Sequence, residues 1–396
     1  MLSHPGSASS SSQQSALSRR KFLKTAAVAG GVAWIGGMRA EPAAPPKLAP
    51  AQTVLPRWRG FNLCNFYQAF DRGERGLGHV VEDDLRWMRD WGFNFVRLPM
   101  DYWLWVDSDW RQTRKLNPDD VGKFQESTLA KIDRTVELCR KHGLHLSLNF
   151  HRAPGYCVNQ PEREPFVLWK DRAAEDAFVQ HWEVFARRYR EVPTSALSFN
   201  LLNEAPAPRA GYMSREDYAR VMQRATARIR EISAERLIIV DGLSCGYTTL
   251  PELASTGVAQ SVHAYTPSGL SHYRASWADR KGDYPLPTWP LKNKDGSINW
   301  DRARLETWLR PWAALARQGI GVHCGECGCY NKTPYAVFAA WFEDVLQLLT
   351  GHGIGYALWE FRGSFGVLDS GRTDTPYEDW HGHKLDRRLL TLLQKY

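Results

Sequence analysis

The chain has no internal repeat of solenoid length across its 396 residues, which excludes stacked-repeat architectures. It also lacks an apolar run that would make a persuasive transmembrane helix; the one candidate, Thr25 to Gly37, is short and rich in Gly and Ala. Charge is nearly balanced. The formal sum is +8, but Arg19, Arg20, Lys21, Lys24 and Arg39 sit in the first forty residues, which hold no acid. The remainder carries +3, too little to argue for nucleic acid or an anionic membrane as partner. Seven cysteines (64, 139, 157, 245, 324, 327, 329) cannot all pair within the chain, so at least one thiol stays free unless it pairs between chains.

The N-terminus reads in three pieces. Residues 1 to 17 are rich in Ser and Gln and lack core material. Ser18-Arg-Arg-Lys-Phe-Leu-Lys24, with the small apolar stretch behind it, resembles a twin-arginine export signal, so residues 1–40 are expected to direct export to the periplasm or beyond. No clean Ala-x-Ala cleavage site stands out. Residues 41–55, rich in Ala and Pro, read as a linker. No composition shift divides the remainder of the chain, so residues 56–396 are expected to form one domain.

In that region 3.6-residue periodicity alternates with short apolar runs. The runs are Trp58–Leu63, Phe93–Leu98, Leu144–Phe150, Ala196–Leu202, Leu237–Val240, Gln260–Ala264, Ile320–His323 and Ile354–Trp359. Helical spacing appears at Leu85, Met88 and Trp91, at Leu129, Ile132, Val136 and Cys139, and at Phe338, Trp341, Val345 and Leu349. Gly92, Gly143, Gly319 and Gly353 stand where helices should stop. Eight strands with helices between them predict an α/β fold, a single closed (β/α)8 TIM barrel with long βα loops. The helix after the fifth strand is the weakest, because Thr248 to Gly257 is short and carries Pro251. Thr266 to Trp300 is expected to be a long loop over the active face.

Functional side chains of such a barrel sit at the C-terminal ends of its strands. Reading those ends gives Arg97, His151, Asn203 with Glu204, His263 with Tyr265, Glu326 and Trp359. A carboxylate at the tip of a buried strand is costly unless something pairs with it, so Glu204 needs a reason beyond packing. A second one, Glu326, lies 122 positions on, three βα units later, across the barrel from the first. Two facing carboxyls are what retaining glycoside hydrolysis requires.

As a set, Arg-Leu-Pro, the third-strand His, Asn-Glu-x-Pro, His-x-Tyr, Gly-Glu-x-Gly and the last-strand Trp resemble glycoside hydrolase family 5, the cellulase-type barrels. The resemblance runs from about Gly60 to Trp359. It implies Glu204 as general acid/base and Glu326 as nucleophile, with Arg97 and Tyr265 holding the nucleophile ionised. It further implies Asn203 on the sugar 2-hydroxyl, His151 and His263 as positioning groups, and Trp359 as the floor of the −1 subsite. Ala205 stands between Glu204 and Pro206 where many members have Asn-Glu-Pro, and cysteines flank Glu326. A β-linked glucan, cleaved endo at β-1,4 bonds, is the substrate expected first. Exo-acting β-1,3-glucanase or β-glucosidase activity and β-mannanase activity are alternatives, the first suggested by His151-Arg-Ala-Pro-Gly. A barrel that only binds sugar is the non-enzyme alternative. No cofactor is required, and a monomer is expected.

Several residues carry more than one reading. His323, Cys324, Cys327 and Cys329 resemble a metal cluster, although no second Cys pair of matching spacing exists. Asp101, Glu162, Glu164 and Asp369 read as solvated loop acids. Most of the 17 Trp are core material, but Trp103, Trp105, Trp169, Trp277, Trp289 and Trp380 are candidate sugar platforms.

Overall fold

The computed structural model describes residues 54–70 and 78–396. The segment expected to direct export, and the expected linker up to residue 53, lie outside the described residues. Eight parallel strands close on themselves in chain order. They are β1 (Arg59–Asn62), β2 (Phe95–Asp101), β3 (His145–Ala153), β4 (Leu197–Asn200), β5 (Leu237–Asp241), β6 (Ala259–Ala264), β7 (Val322–Cys327) and β8 (Gly355–Leu358). β8 pairs back onto β1, so no edge is left open. This is the (β/α)8 barrel that the strand count predicts.

Amphipathic helices cover it. The helix Glu126–Lys141 buries Leu129, Ile132, Val136 and Cys139, the spacing that identified it. Arg215–Ile232 starts with a capping box: the Ser214 hydroxyl accepts from the Asp217 N–H, and the Asp217 carboxylate accepts from the Ser214 N–H. Gly92 and Gly143 end their helices at φ of 86° and 66°, where a side chain would be strained. After β5 no full helix forms. A tight turn at Leu243–Gly246 and a 3-10 segment at Pro251–Thr256 replace it; the segment stops at Gly257, left-handed at φ of 68°, too soon for a helix to propagate.

One strand runs further than its apolar run suggested. β7 continues through Gly325 and Glu326 to Cys327, with its register shifted between Cys324 and Glu326. Such a shift re-aims the side chains beyond it. Gly325 is needed there: a Cβ would lie 2.5 Å from the Ser261 hydroxyl and 3.4 Å from His263. At the opposite mouth of the barrel, Trp58, Phe95, Ile239, Ala259 and Ala357 form a separate apolar plug. His145 and His323 pack on it, with the His145 ring 3.9 Å from that of Trp58.

Candidate active site

Arg97 organises the rim. Burial of a guanidinium is tolerable only if its donors are satisfied, and here every nitrogen is. Nε donates to Asn200 Oδ1 at 2.9 Å. One terminal nitrogen donates to Asn62 Oδ1 at 3.0 Å and to Glu326 Oε1 at 2.7 Å. The other donates to Asn203 Oδ1 at 2.8 Å and faces Asp241 at 3.6 Å. Arginine has no acceptor, so this contact fixes the Asn203 amide with its oxygen toward Arg97. The Asn203 NH2 is then left buried with no protein partner.

Glu326 is buried, its side chain 5% exposed. Its other oxygen, Oε2, accepts from the Tyr265 hydroxyl at 3.0 Å. Burial pushes this carboxyl up, and His263 and Arg97 oppose that rise. Glu204 is more open, at 16%. It stands just past β4 with φ of 48°, a region few non-glycine residues occupy. Two bonds hold it there: its N–H donates to Asp241 at 3.1 Å and its carbonyl accepts from the Tyr156 hydroxyl at 2.6 Å. The side-chain Oε1 meets His263 Nδ1 at 2.9 Å. One oxygen of Glu204, one of Glu326 and a ring nitrogen of His263 all lie within 4.8 Å of one another.

His263 sits among three carboxylates: Glu204, Glu326 at 3.7 Å and Asp241 at 3.2 Å. Burial alone would lower the imidazole, but the charges of Glu326 and Asp241 and the bonds to Asp241 and Glu204 raise it well above its ordinary value. It is therefore an imidazolium at neutral pH. For Asp241 burial works upward, yet His263, Arg97 and Asn200 hold it well below the usual carboxylate range. His151 is the opposite case: burial and the nearby cations Arg97 and Arg152 keep it well below its ordinary value, hence neutral, and neither ring nitrogen has a protein partner.

All eight residues named from the sequence converge here. His151, Glu204, His263, Tyr265, Glu326 and Trp359 line one pocket of about 780 Å³, with Arg97 and Asn203 beneath it. Asn62, Asn200 and Asp241 were missed as site residues. Each ends its strand on the same rim, so the strand-end rule that found the others could have found them.

Other expectations are corrected. Asp101 and Glu164 are not solvated: both are buried around Arg152, which donates to them at 3.2 and 2.7 Å. Tyr102 adds a bond to Glu164 at 2.7 Å. Glu162 and Asp369 do lie at the surface. Trp103, Trp105 and Trp169 are buried core residues and cannot stack on sugar. Trp289 is tied to Asp344 at 2.8 Å, and Trp380 packs on Trp91 at 5.5 Å between centroids. Trp277 alone of the six is both exposed, at 49%, and in the pocket wall. The cysteine cluster disperses as well. Cys324, Cys327 and Cys329 direct their thiols at the carbonyls of Glu326, Ala357 and Leu270, and His323 faces the far plug. Among the described residues, the group whose ligand atoms converge is Glu204, His263 and Glu326, which could hold a cation only by giving up its hydrogen bonds.

A closed (β/α)8 barrel whose rim pocket sets two carboxyls face to face defines the glycoside hydrolase class. The family model for cellulase, glycosyl hydrolase family 5, matches residues 49–364, and the chain belongs to that family. Endoglucanase C of Acetivibrio thermocellus is 27% identical over 331 residues, covering 76% of this chain and 90% of that protein. Cellodextrinase A of Ruminococcus flavefaciens is 25% identical over 301 residues, covering 75% and 83%. A solved structure described as a glycoside hydrolase is 38% identical with a TM-score of 0.78, covering 86% of this chain and 99% of that one. The chain is a glycoside hydrolase. Among the described residues, no helix is long and apolar enough to cross a membrane.

Proposed function

We propose that the chain is a retaining, endo-acting β-1,4-glucanase in which Glu204 is the general acid/base and Glu326 the nucleophile. The observation that carries the reading is the separation of the two carboxyls: oxygens within 4.8 Å leave no room for the water that an inverting mechanism places between them. Glu326, fixed by Arg97 and Tyr265, attacks the anomeric carbon while Glu204 gives its proton to the departing oxygen. Water then enters on the side the leaving group vacated, and Glu204 takes its proton. The unpaired Asn203 NH2 is a donor waiting for an acceptor, and the sugar 2-hydroxyl supplies one as positive charge builds on the ring. Trp359 and the neutral His151, ring centroids 5.7 Å apart, form the glycone side of the pocket. The endo assignment takes its support from relatives that carry the endoglucanase name.

One observation favours the exo reading instead. Asn159, in the loop after β3, donates to the Tyr67 hydroxyl, in the loop after β1, at 2.9 Å. Tyr67 also packs on His151 and Trp359, so this bridge stands at the glycone side and would limit how far a chain extends there. Product analysis decides between the two. Mixed oligosaccharides from barley β-glucan or carboxymethylcellulose are expected; glucose alone, from laminarin or an aryl glucoside, would mean a closed pocket. Export through the twin-arginine route belongs to the same proposal, and an Arg19→Lys, Arg20→Lys variant should stay inside the producing cell.

A further inference from the structure

We infer that the enzyme has a separate apolar leaving-group pocket, which admits a second class of substrate: β-glycosides of apolar alcohols. The inference rests on the reading of Glu204 as the acid, because the acid marks the side on which the leaving group departs.

A cavity of about 700 Å³ adjoins the catalytic pocket, and Val158 and Cys245 belong to the walls of both. It flanks the segment that follows Glu204. Its walls include Pro206 and Pro208, two and four residues beyond the acid, with Tyr156, Val167 and Tyr212. The wall offers few free polar groups. The Tyr156 hydroxyl donates to the Glu204 carbonyl, so only its ring is offered to a ligand. Prolines bring no N–H, and the Ala205 carbonyl between them and the acid accepts from the Cys245 N–H at 2.9 Å. Arg209 lies over the Tyr212 ring, 4.8 Å from its centroid, at the exposed end of the cavity. Glu162 and Arg209 bring charge to the wall, both from exposed residues, but the rest of it is mostly carbon, so a sugar would find few of the convergent donors and acceptors it needs. An alkyl or aryl group would find a surface that removes it from water.

The reaction is ordinary hydrolysis. The glycosidic C–O bond breaks, the alcohol leaves with the proton of Glu204, and water supplies the hydroxyl to the anomeric carbon. The primary alcohols from methyl to octyl differ little in leaving ability, so chain length tests binding.

The experiment measures kcat/KM for n-alkyl β-cellobiosides from methyl to octyl, beside β-cellobiosyl fluoride, whose leaving group leaves the cavity empty. Full burial of a methylene, at ~0.8 kcal/mol, corresponds to about a fourfold gain. In a groove open on one side about twofold per methylene is expected, or on the order of a hundredfold from methyl to octyl. Tyr212→Asp, and separately the exposed Pro208→Glu, should cut the octyl-to-methyl ratio to within about threefold. That ratio is taken within each variant, so a general loss of activity does not imitate it. Calorimetric binding of the same series to Glu326→Gln gives the chain-length dependence without turnover. If the fluoride is not hydrolysed, the glucan reading fails while the binding series still decides the pocket. A flat series in wild type, in rate and in binding, would overturn the inference.

Discussion

Asp241→Asn is the substitution that tests the charge arrangement most directly. The native carboxylate accepts at both oxygens: Oδ1 from the Asn200 NH2 at 2.8 Å and Oδ2 from the Glu204 N–H at 3.1 Å. An asparagine in the same place must turn its NH2 toward one of these donors, whichever way it flips. It also removes the anion 3.2 Å from His263 and 3.6 Å from Arg97. At an effective dielectric of 20, charges 3.2 Å apart attract by about 5 kcal/mol, an upper bound that relaxation and entering water reduce. Breaking a buried pair by removing one partner costs about 3 to 5 kcal/mol. With ~2.1 cal/mol/K of unfolding entropy per residue, Tm should fall by about 4 to 7 °C.

The pH dependence takes its sign from the two shifts. His263 is raised on folding, so its contribution to stability is complete below the unfolded value of about 6.5 and is lost as pH rises through the folded value. Asp241 is depressed, so its contribution is present above about 3.9 and is lost as pH falls through the folded value. Asp241→Asn reduces both contributions. Its melting temperature should depend less on pH at each end, and the alkaline limb of its rate profile should move toward acid as His263, without the Asp241 anion beside it, loses its proton sooner. Calorimetric melting from pH 4 to 10 and the kcat/KM profile check this. Wild-type Tm together with an unmoved alkaline limb would refute the account of the cluster.

Other expectations concern single side chains. Glu204→Gln and Glu326→Gln should each lower kcat by several orders of magnitude with circular dichroism unchanged, and near-native turnover in either would remove the two-glutamate assignment. With Glu326→Ala, azide should restore turnover and give an inverted glycosyl azide; with Glu204→Ala, the azide product should keep its configuration, and swapped outcomes would exchange the roles. Arg152→Met leaves Asp101 and Glu164 buried without a cation, so destabilisation of about 3 to 5 kcal/mol in urea melts is expected, where a solvated pair would give less than 1. Trp103→Ala should cost about 3 to 5 kcal/mol of stability, whereas Trp277→Ala should leave stability within about 0.5 and raise KM for oligosaccharides.

What the sequence determined by itself was the repeat of strand and helix and the chemistry at the strand ends. Strand and helix periods are local, and a parallel barrel places every strand's C-terminal end on one rim, so Glu204 and Glu326 could be paired across 122 positions without coordinates. The extension of β7 through Cys324, Gly325 and Glu326 was harder to read, because a register shift beside a glycine has no apolar signature. Only the tertiary structure decided which groups lose their water. Asp101 and Glu164 look like loop acids until Arg152, from another strand end, is seen between them. Trp103 and Trp277 are the same residue type, both in loops after strands, and their fates differ because chain segments remote in sequence cover one and not the other. Asp241 closed an apolar strand and carried no motif, and its role arose from four partners brought in by β2, β4 and β6 and the turn after β4. Burial and charge balance are sums over such long-range neighbours, which is why they belong to the fold and not to any stretch of the chain.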